Sequence, residues 1–128
     1  MYRSVVLCLL LFNSAVAHEM TPTYPTWEVS YSGGIKKTTM RLWNSREDVQ
    51  YYEIGVFDDE WKPIPFVTSY KIMKVDYLSQ VKFDVYIREN NIKDARYICS
   101  LSKLRSDNVS KTLLATQICS KFKRAWEL

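Results

Sequence analysis

Between Val81 and Arg88 the side chains alternate without a break: Val81, Phe83, Val85 and Ile87 form one row, and Lys82, Asp84, Tyr86 and Arg88 form the other. A helix turns every 3.6 residues and would scatter these rows around its circumference, whereas a strand places them on opposite faces. The segment therefore reads as an amphipathic strand with one face on a core. The same alternation recurs earlier in the chain. Trp27, Val29 and Tyr31 alternate with Glu28 and Ser30, Gly33-Gly34 supplies a turn, and Thr38, Met40 and Leu42 alternate with Lys37, Thr39 and Arg41, which predicts a hairpin. After a polar break over Asn44 to Asp48, Tyr52, Ile54 and Val56 share one face of a third run. Asp58-Asp59-Glu60 ends that run in a solvated turn.

Pro63 and Pro65 remove two backbone donors, so residues 61–66 are an edge or a connection. A short strand over 68–75, a turn over 76–79, and strands over 96–101 and 113–122 complete the set. A polar loop carrying Arg105, Asp107, Asn108 and Ser110 separates the last two. About seven short strands predict an all-β fold, a single immunoglobulin-like antiparallel β-sandwich, with a small barrel as the alternative. Residues 18–25, with Pro22 and Pro25, are expected to be its loosest part.

Residues 1–17 read as a signal peptide: Arg3, an apolar run from Val5 to Phe12, and the small-residue triplet Ala15-Val16-Ala17. The run falls far short of the roughly 20 residues that cross a bilayer, so no membrane span is expected. Cys8 lies inside the run and is not placed to carry a lipid. The mature domain is then 18–128, in the periplasm or, alternatively, secreted. It keeps two of the three cysteines, Cys99 and Cys119, and an even pair in an oxidising compartment implies one disulfide. Closing a loop of this size stabilises by roughly 3 kcal/mol in the chain-entropy picture.

Eighteen basic residues against 14 acidic ones give a formal net charge of +4, with both signs interspersed. That pattern suits solubility and gives no stripe for nucleic acid. The sequence has one histidine, His18. As a mature N-terminus it would chelate copper only with a second imidazole, so it reads as an exposed terminus and no metal or other cofactor is expected. A single terminal histidine also removes the Ser-His-Asp and Cys-His arrangements, and no enzyme activity is expected. Asp58, Asp59 and Glu60 lack the spacing and the glycine of an EF-hand. Asn108-Val109-Ser110 is a glycosylation triplet by pattern only. Lys121, Lys123 and Arg124 beside Phe122 and Trp126 read as the solvated face of a terminal strand.

Several stretches resemble the N-terminal immunoglobulin-like domain of the PapD-like periplasmic chaperones of pilus and fimbria assembly, over roughly 27–126. Tyr31 to Asn44 is similar to the family's first turn and second strand, which ends in an Asn, and Tyr51 to Asp58 to its third strand. Val81 to Ile87 and Ala95 to Cys99 are similar to its later core strands, and 113–122 takes the place of its last strand. One branch of the family bridges its last two strands by a disulfide, as Cys99 and Cys119 would. The resemblance implies a protein partner, a subunit of a pilus or other surface structure. It also implies a basic pair that anchors the subunit's C-terminal carboxylate. Glu28 stands where the early Arg of that pair falls, and Lys121 or Lys123 matches the later Lys.

The mechanism so implied is strand addition, in which the edge of the last strand pairs with a partner's incomplete sheet. Leu113 and Ala115 are expected to face the partner, because Leu114 shares its row with Ile118 and Phe122. The expected role is a chaperone-like factor in assembly; the alternative is a structural subunit or accessory of an extracellular filament or envelope complex.

Overall fold

The alternating runs become strands. The computed structural model describes residues 17–103 and 115–127. In chain order its strands are β1 (Glu19–Thr21), β2 (Glu28–Val29), β3 (Ile35–Asn44), β4 (Tyr51–Phe57), β5 (Ile72–Lys74), β6 (Ser79–Arg88), β7 (Tyr97–Lys103) and β8 (Gln117–Lys121). Short 3-10 turns follow β6 at Glu89–Asn91 and β8 at Ala125–Glu127. One sheet is built on β3, which carries β1 and β2 at opposite ends of one edge and the whole of β6 along the other. The second sheet has the order β5-β4-β7-β8, and every strand pair in both sheets is antiparallel. The all-β sandwich expected from the alternation is the fold observed.

Each sheet turns one row inward. Met40, Leu42, Phe83, Val85 and Ile87 come from the first sheet, and Tyr52, Ile54, Val56, Met73 and Ile98 from the second. All are buried, and a fully buried side chain of this size contributes about 1.5–3 kcal/mol. No α-helix is present among the described residues, so this contiguous cluster between the sheets holds the domain together.

The polar break after β3 has an inner half. Asn44 is completely buried and uses both ends of its amide. Its Nδ2 donates to the carbonyls of Val49 (2.7 Å) and Val75 (2.9 Å), while Oδ1 accepts the Arg46 N–H (2.8 Å) and the Tyr52 hydroxyl (2.5 Å). One side chain thus ties the end of β3 to the connections before β4 and after β5. Burial pushes the Tyr52 phenol up to about 12, so it remains a donor to Asn44 under all ordinary conditions.

Three local expectations need correction. Residues 18–25 are not loose: β1 pairs with β3 through Glu19↔Trp43 and Thr21↔Arg41, Met20 joins the core and Pro25 is buried. The cause is a period of two that the flanking prolines mask, with His18 and Met20 inward and Glu19 and Thr21 outward. The strand expected over 68–75 is shortened to β5, because the chain first bridges Tyr86 of β6 at Val67 and then crosses to the other sheet. The first arm of the predicted hairpin survives only as β2. Val29 and Tyr31 are exposed, and of its apolar row Trp27 alone packs on the core.

Candidate functional site

His18, expected to be an exposed terminus, is fully buried. Its ring lies 4.5 Å from that of Tyr52, Nε2 is 2.8 Å from Ser100 Oγ and 3.1 Å from the Ser100 carbonyl, and Nδ1 is 3.2 Å from Thr116 Oγ1. A proton on Nε2 satisfies this set: the ring donates to Ser100 and accepts from Thr116. The imidazole is therefore neutral and structural. Burial holds its pKa below the ordinary histidine value; the Ser100 carbonyl opposes this, and the Arg46 charge adds to it. Below about pH 6.5 the unfolded chain takes up a proton that the folded chain resists, so stability falls with pH there and levels off under the lowered folded value. Denaturant titrations at pH 7.5 and 5.5 are expected to show this loss, and His18→Gln is expected to reduce the difference between the two pH values.

The contacts of His18 lock β1 beside β8, the outer strand of its sheet. The Thr116 carbonyl accepts from Ser102 N–H and Phe122 N–H donates to the Arg96 carbonyl, so even-numbered residues of β8 direct their backbone groups to β7. Gln117, Cys119 and Lys121 direct theirs away from the sheet. Lys121 N–H meets the Thr23 carbonyl at 3.0 Å; among the described residues nothing pairs with the outward groups of Gln117 and Cys119. β1 runs beside this edge, from His18 at Thr116 to Thr23 at Lys121, without bonding those two residues.

Covalent chemistry holds that edge in place. Cys99 and Cys119 are direct partners across β7 and β8 and form a disulfide with an S–S distance of 2.01 Å. The side chains of β8 divide as the two-residue period requires. Ile118 and Phe122 pack on the core, Ser120 is buried, and Gln117 is exposed. Ala115, just before β8, is exposed as well, while Leu113 lies outside the described residues.

The basic residues nearby are already engaged. Lys121 Nζ is 3.8 Å from Glu127, and Lys123 Nζ lies 4.2 Å from the centre of the Tyr24 ring. Arg124 pairs with Asp59 and lies 5.1 Å from the Trp126 ring. Glu28 is exposed on β2 opposite Lys37. The Lys121 to Trp126 stretch is thus not simply a solvated face. Phe122 stacks on Trp27 at 4.5 Å, and the two form the floor of a cleft of about 460 Å3 bordered by Lys123, Arg124 and Trp126.

Arg96 organises this end and carried no signal in the sequence beyond its place at the start of a strand. It is buried; Nη1 donates to the Phe122 carbonyl at 2.5 Å, Nη2 bonds Glu127, and Nε lies 3.4 Å from Asp59. The Arg96 hydrogen bond holds the Glu127 carboxyl below its usual range. Asp59 belongs to the turn expected to be merely solvated, where Asp58 Oδ1 also accepts N–H groups of Glu60 and Lys62. Among the described residues no cluster of three or more His, Cys, Asp or Glu side chains could hold a metal, and no helix is long and apolar enough to cross a membrane.

This sandwich, with its bridged last two strands, is similar to solved chaperone structures. It matches the E. coli chaperone DraB with a TM-score of 0.60 at 15% identity, over 84% of this chain and 53% of that one. The fold is the one that about half of this chaperone adopts. A second match is the structure of the Salmonella enterica SafA pilin in complex with the SafB chaperone, with a TM-score of 0.57 at 16% identity, over 83% of this chain and 52% of that chain. The matched part of the present chain thus spans about half the length of each of these chaperones. No family model and no curated protein matches the sequence.

Proposed function

We propose that this chain is an exported, non-enzymatic protein-binding domain that acts as a chaperone-like factor in pilus or surface-structure assembly. Its site is the outer edge of β8, with Ala115 and Leu113 on the row turned to the partner and Lys121 or Lys123 near the partner's end. The observation that carries this reading is the unpaired backbone of Gln117 and Cys119 on a strand stapled to its neighbour, with β1 beside it as the segment a partner strand displaces. An edge strand with unpaired groups is a template for another strand, and a disulfide keeps it extended before a partner arrives. A subunit with an incomplete sheet supplies that strand. The fold likeness to DraB and SafB supports the same assignment. Residues 1–17 act as the leader in this reading and deliver the domain to the periplasm.

Lys121 shares Glu127 with Arg96, and Glu28 stands where the resemblance calls for the early cation, so the anchor for a carboxylate rests on Lys123 and a Lys121 that must leave Glu127. Hydrogen bonding along the strand therefore carries more of the affinity than charge does. Gln117→Pro removes one outward donor without touching the bonds to β7, because proline is tolerated on an edge strand. Pull-down from the native periplasm with the unaltered chain is expected to recover an unassembled subunit. Recovery should fall at least about tenfold with Gln117→Pro or Leu113→Asp, the equivalent of ~1.4 kcal/mol. A partner retained equally by both variants would remove the strand-edge mechanism. Co-sedimentation with finished filaments instead of release would make the chain a structural accessory.

A further inference from the structure

The sandwich has a second open seam on the side away from β8. Ile54 N–H donates to the Lys71 carbonyl and Val75 N–H to the Gln50 carbonyl, so alternate residues of this stretch face β4, and Ile72 and Lys74 direct their backbone groups outward. Across the gap, Tyr86 of β6 exchanges both backbone bonds with Val67, which places the outward groups of β6 on its even-numbered residues. Thr68 covers the Asp84 carbonyl, but among the described residues nothing pairs with the outward groups of Gln80 and Lys82. Two uncovered strand edges thus face one groove of about 490 Å3, lined by Tyr70, Ile72, Met73, Val81 and Phe83. Tyr70 is 72% and Ile72 53% exposed, more apolar surface than a finished sheet edge leaves in water.

The charge around this groove is mainly positive, with Glu53, opposite Ile72, engaged by Lys103. Lys74 and Lys82 are exposed on its rim, and Arg41 stands directly opposite Lys82 on the neighbouring strand. Asp76, 3.7 Å from Lys74, offsets one of these cations, and Asp84 is held by the Thr39 hydroxyl at 2.5 Å. A cationic rim over an apolar floor favours an acidic segment with an apolar anchor and disfavours a second copy presenting its own Lys121 to Arg124 stretch.

The geometry points to a second strand-accepting site: a short, extended, acidic peptide segment of another protein pairs with β5, seats an apolar side chain in the groove and places carboxylates against Lys74 and Lys82. This assignment is independent of the β8 site, and the two sites are separable by substitution. Ile72→Pro deletes an outward donor and leaves the bonds of β5 to β4. Lys74→Glu with Lys82→Glu reverses the rim at exposed positions, where the fold is insensitive to charge.

The test is fluorescence anisotropy with the disulfide-bonded protein and a labelled peptide of alternating Asp and Ile/Phe residues, with a peptide carrying Lys in place of Asp as control. Saturable binding of the acidic peptide is expected, weakening as salt is raised. It should weaken at least about tenfold in Ile72→Pro and in the double charge reversal, while Gln117→Pro leaves it unchanged. Thermal unfolding reports whether Ile72→Pro is folded; if it is not, the charge reversal decides. The assignment is overturned by absence of saturable binding, by equal affinity for the Lys peptide, by loss of binding in Gln117→Pro, or by sedimentation showing a self-dimer that the charge reversal disperses.

Discussion

Asn44→Ala is expected to remove from about a quarter to most of the stability of the domain. Four partners lose their bond at once: the carbonyls of Val49 and Val75, the N–H of Arg46 and the hydroxyl of Tyr52. A buried polar group left without a partner costs about 1–3 kcal/mol, so even with two of the four rehydrated the loss is about 4 kcal/mol once the cavity is included. A domain of this size is stable by only about 5–15 kcal/mol. Tyr52→Phe isolates one bond of the four and is expected to cost about 1–2 kcal/mol. Denaturant titrations of the two variants give the comparison; equal costs would mean that the amide does not act as the tie between β3 and the two connections.

The second large effect is expected from the disulfide. Cys99 and Cys119 are separated by 20 positions, and opening a loop of that length releases roughly 3 kcal/mol of denatured-state restraint. At about 4–8 °C per kcal/mol for a domain near 100 residues, replacing both cysteines by serine should lower the melting temperature by roughly 12–24 °C. The loss should also be local. β8 has a partner on one side only, apart from the Lys121 to Thr23 bond, so its amides should exchange with deuterium faster in the serine variant while those of β3 and β6 keep their order. If protection falls evenly across the sandwich instead, the bridge acts on the whole fold and not on the edge. Thiol titration of protein from its native compartment should find both sulfurs paired.

The parts of the fold that follow a two-residue period on uninterrupted runs were readable in the sequence. Val81, Phe83, Val85 and Ile87 all sit on the inner row of β6, and Tyr52, Ile54 and Val56 on that of β4, because burial on one face leaves that pattern and little else can. The pairing of Cys99 with Cys119 followed from compartment and count. What failed to show were polar side chains used inside. Asn44 and Arg46 lie in a stretch with the composition of a turn, and His18 stands among residues suited to a loose end, yet each is buried because specific carbonyls, hydroxyls or a carboxylate wait for it. Hydrophobic alternation carries no trace of such partners. Arg96 is the sharpest case: its salt bridges reach Asp59 in an earlier turn and Glu127 near the chain end, a convergence that local spacing does not encode. The candidate edge was legible as a strand, but its outermost position depends on sheet order, which emerges only when the whole chain is paired.

If the chain is exported as proposed, the seal around His18 also sets an order of events. Ala17 is held by the Ser45 hydroxyl, and the next residue has no surface in water, so the Ala17–His18 bond cannot lie extended in a peptidase cleft once the sandwich has closed. If the leader is cut there, the cut has to come before folding is complete. A chain that folded first would keep its apolar head, and maturation would become a race between a membrane enzyme and the docking of a three-residue strand.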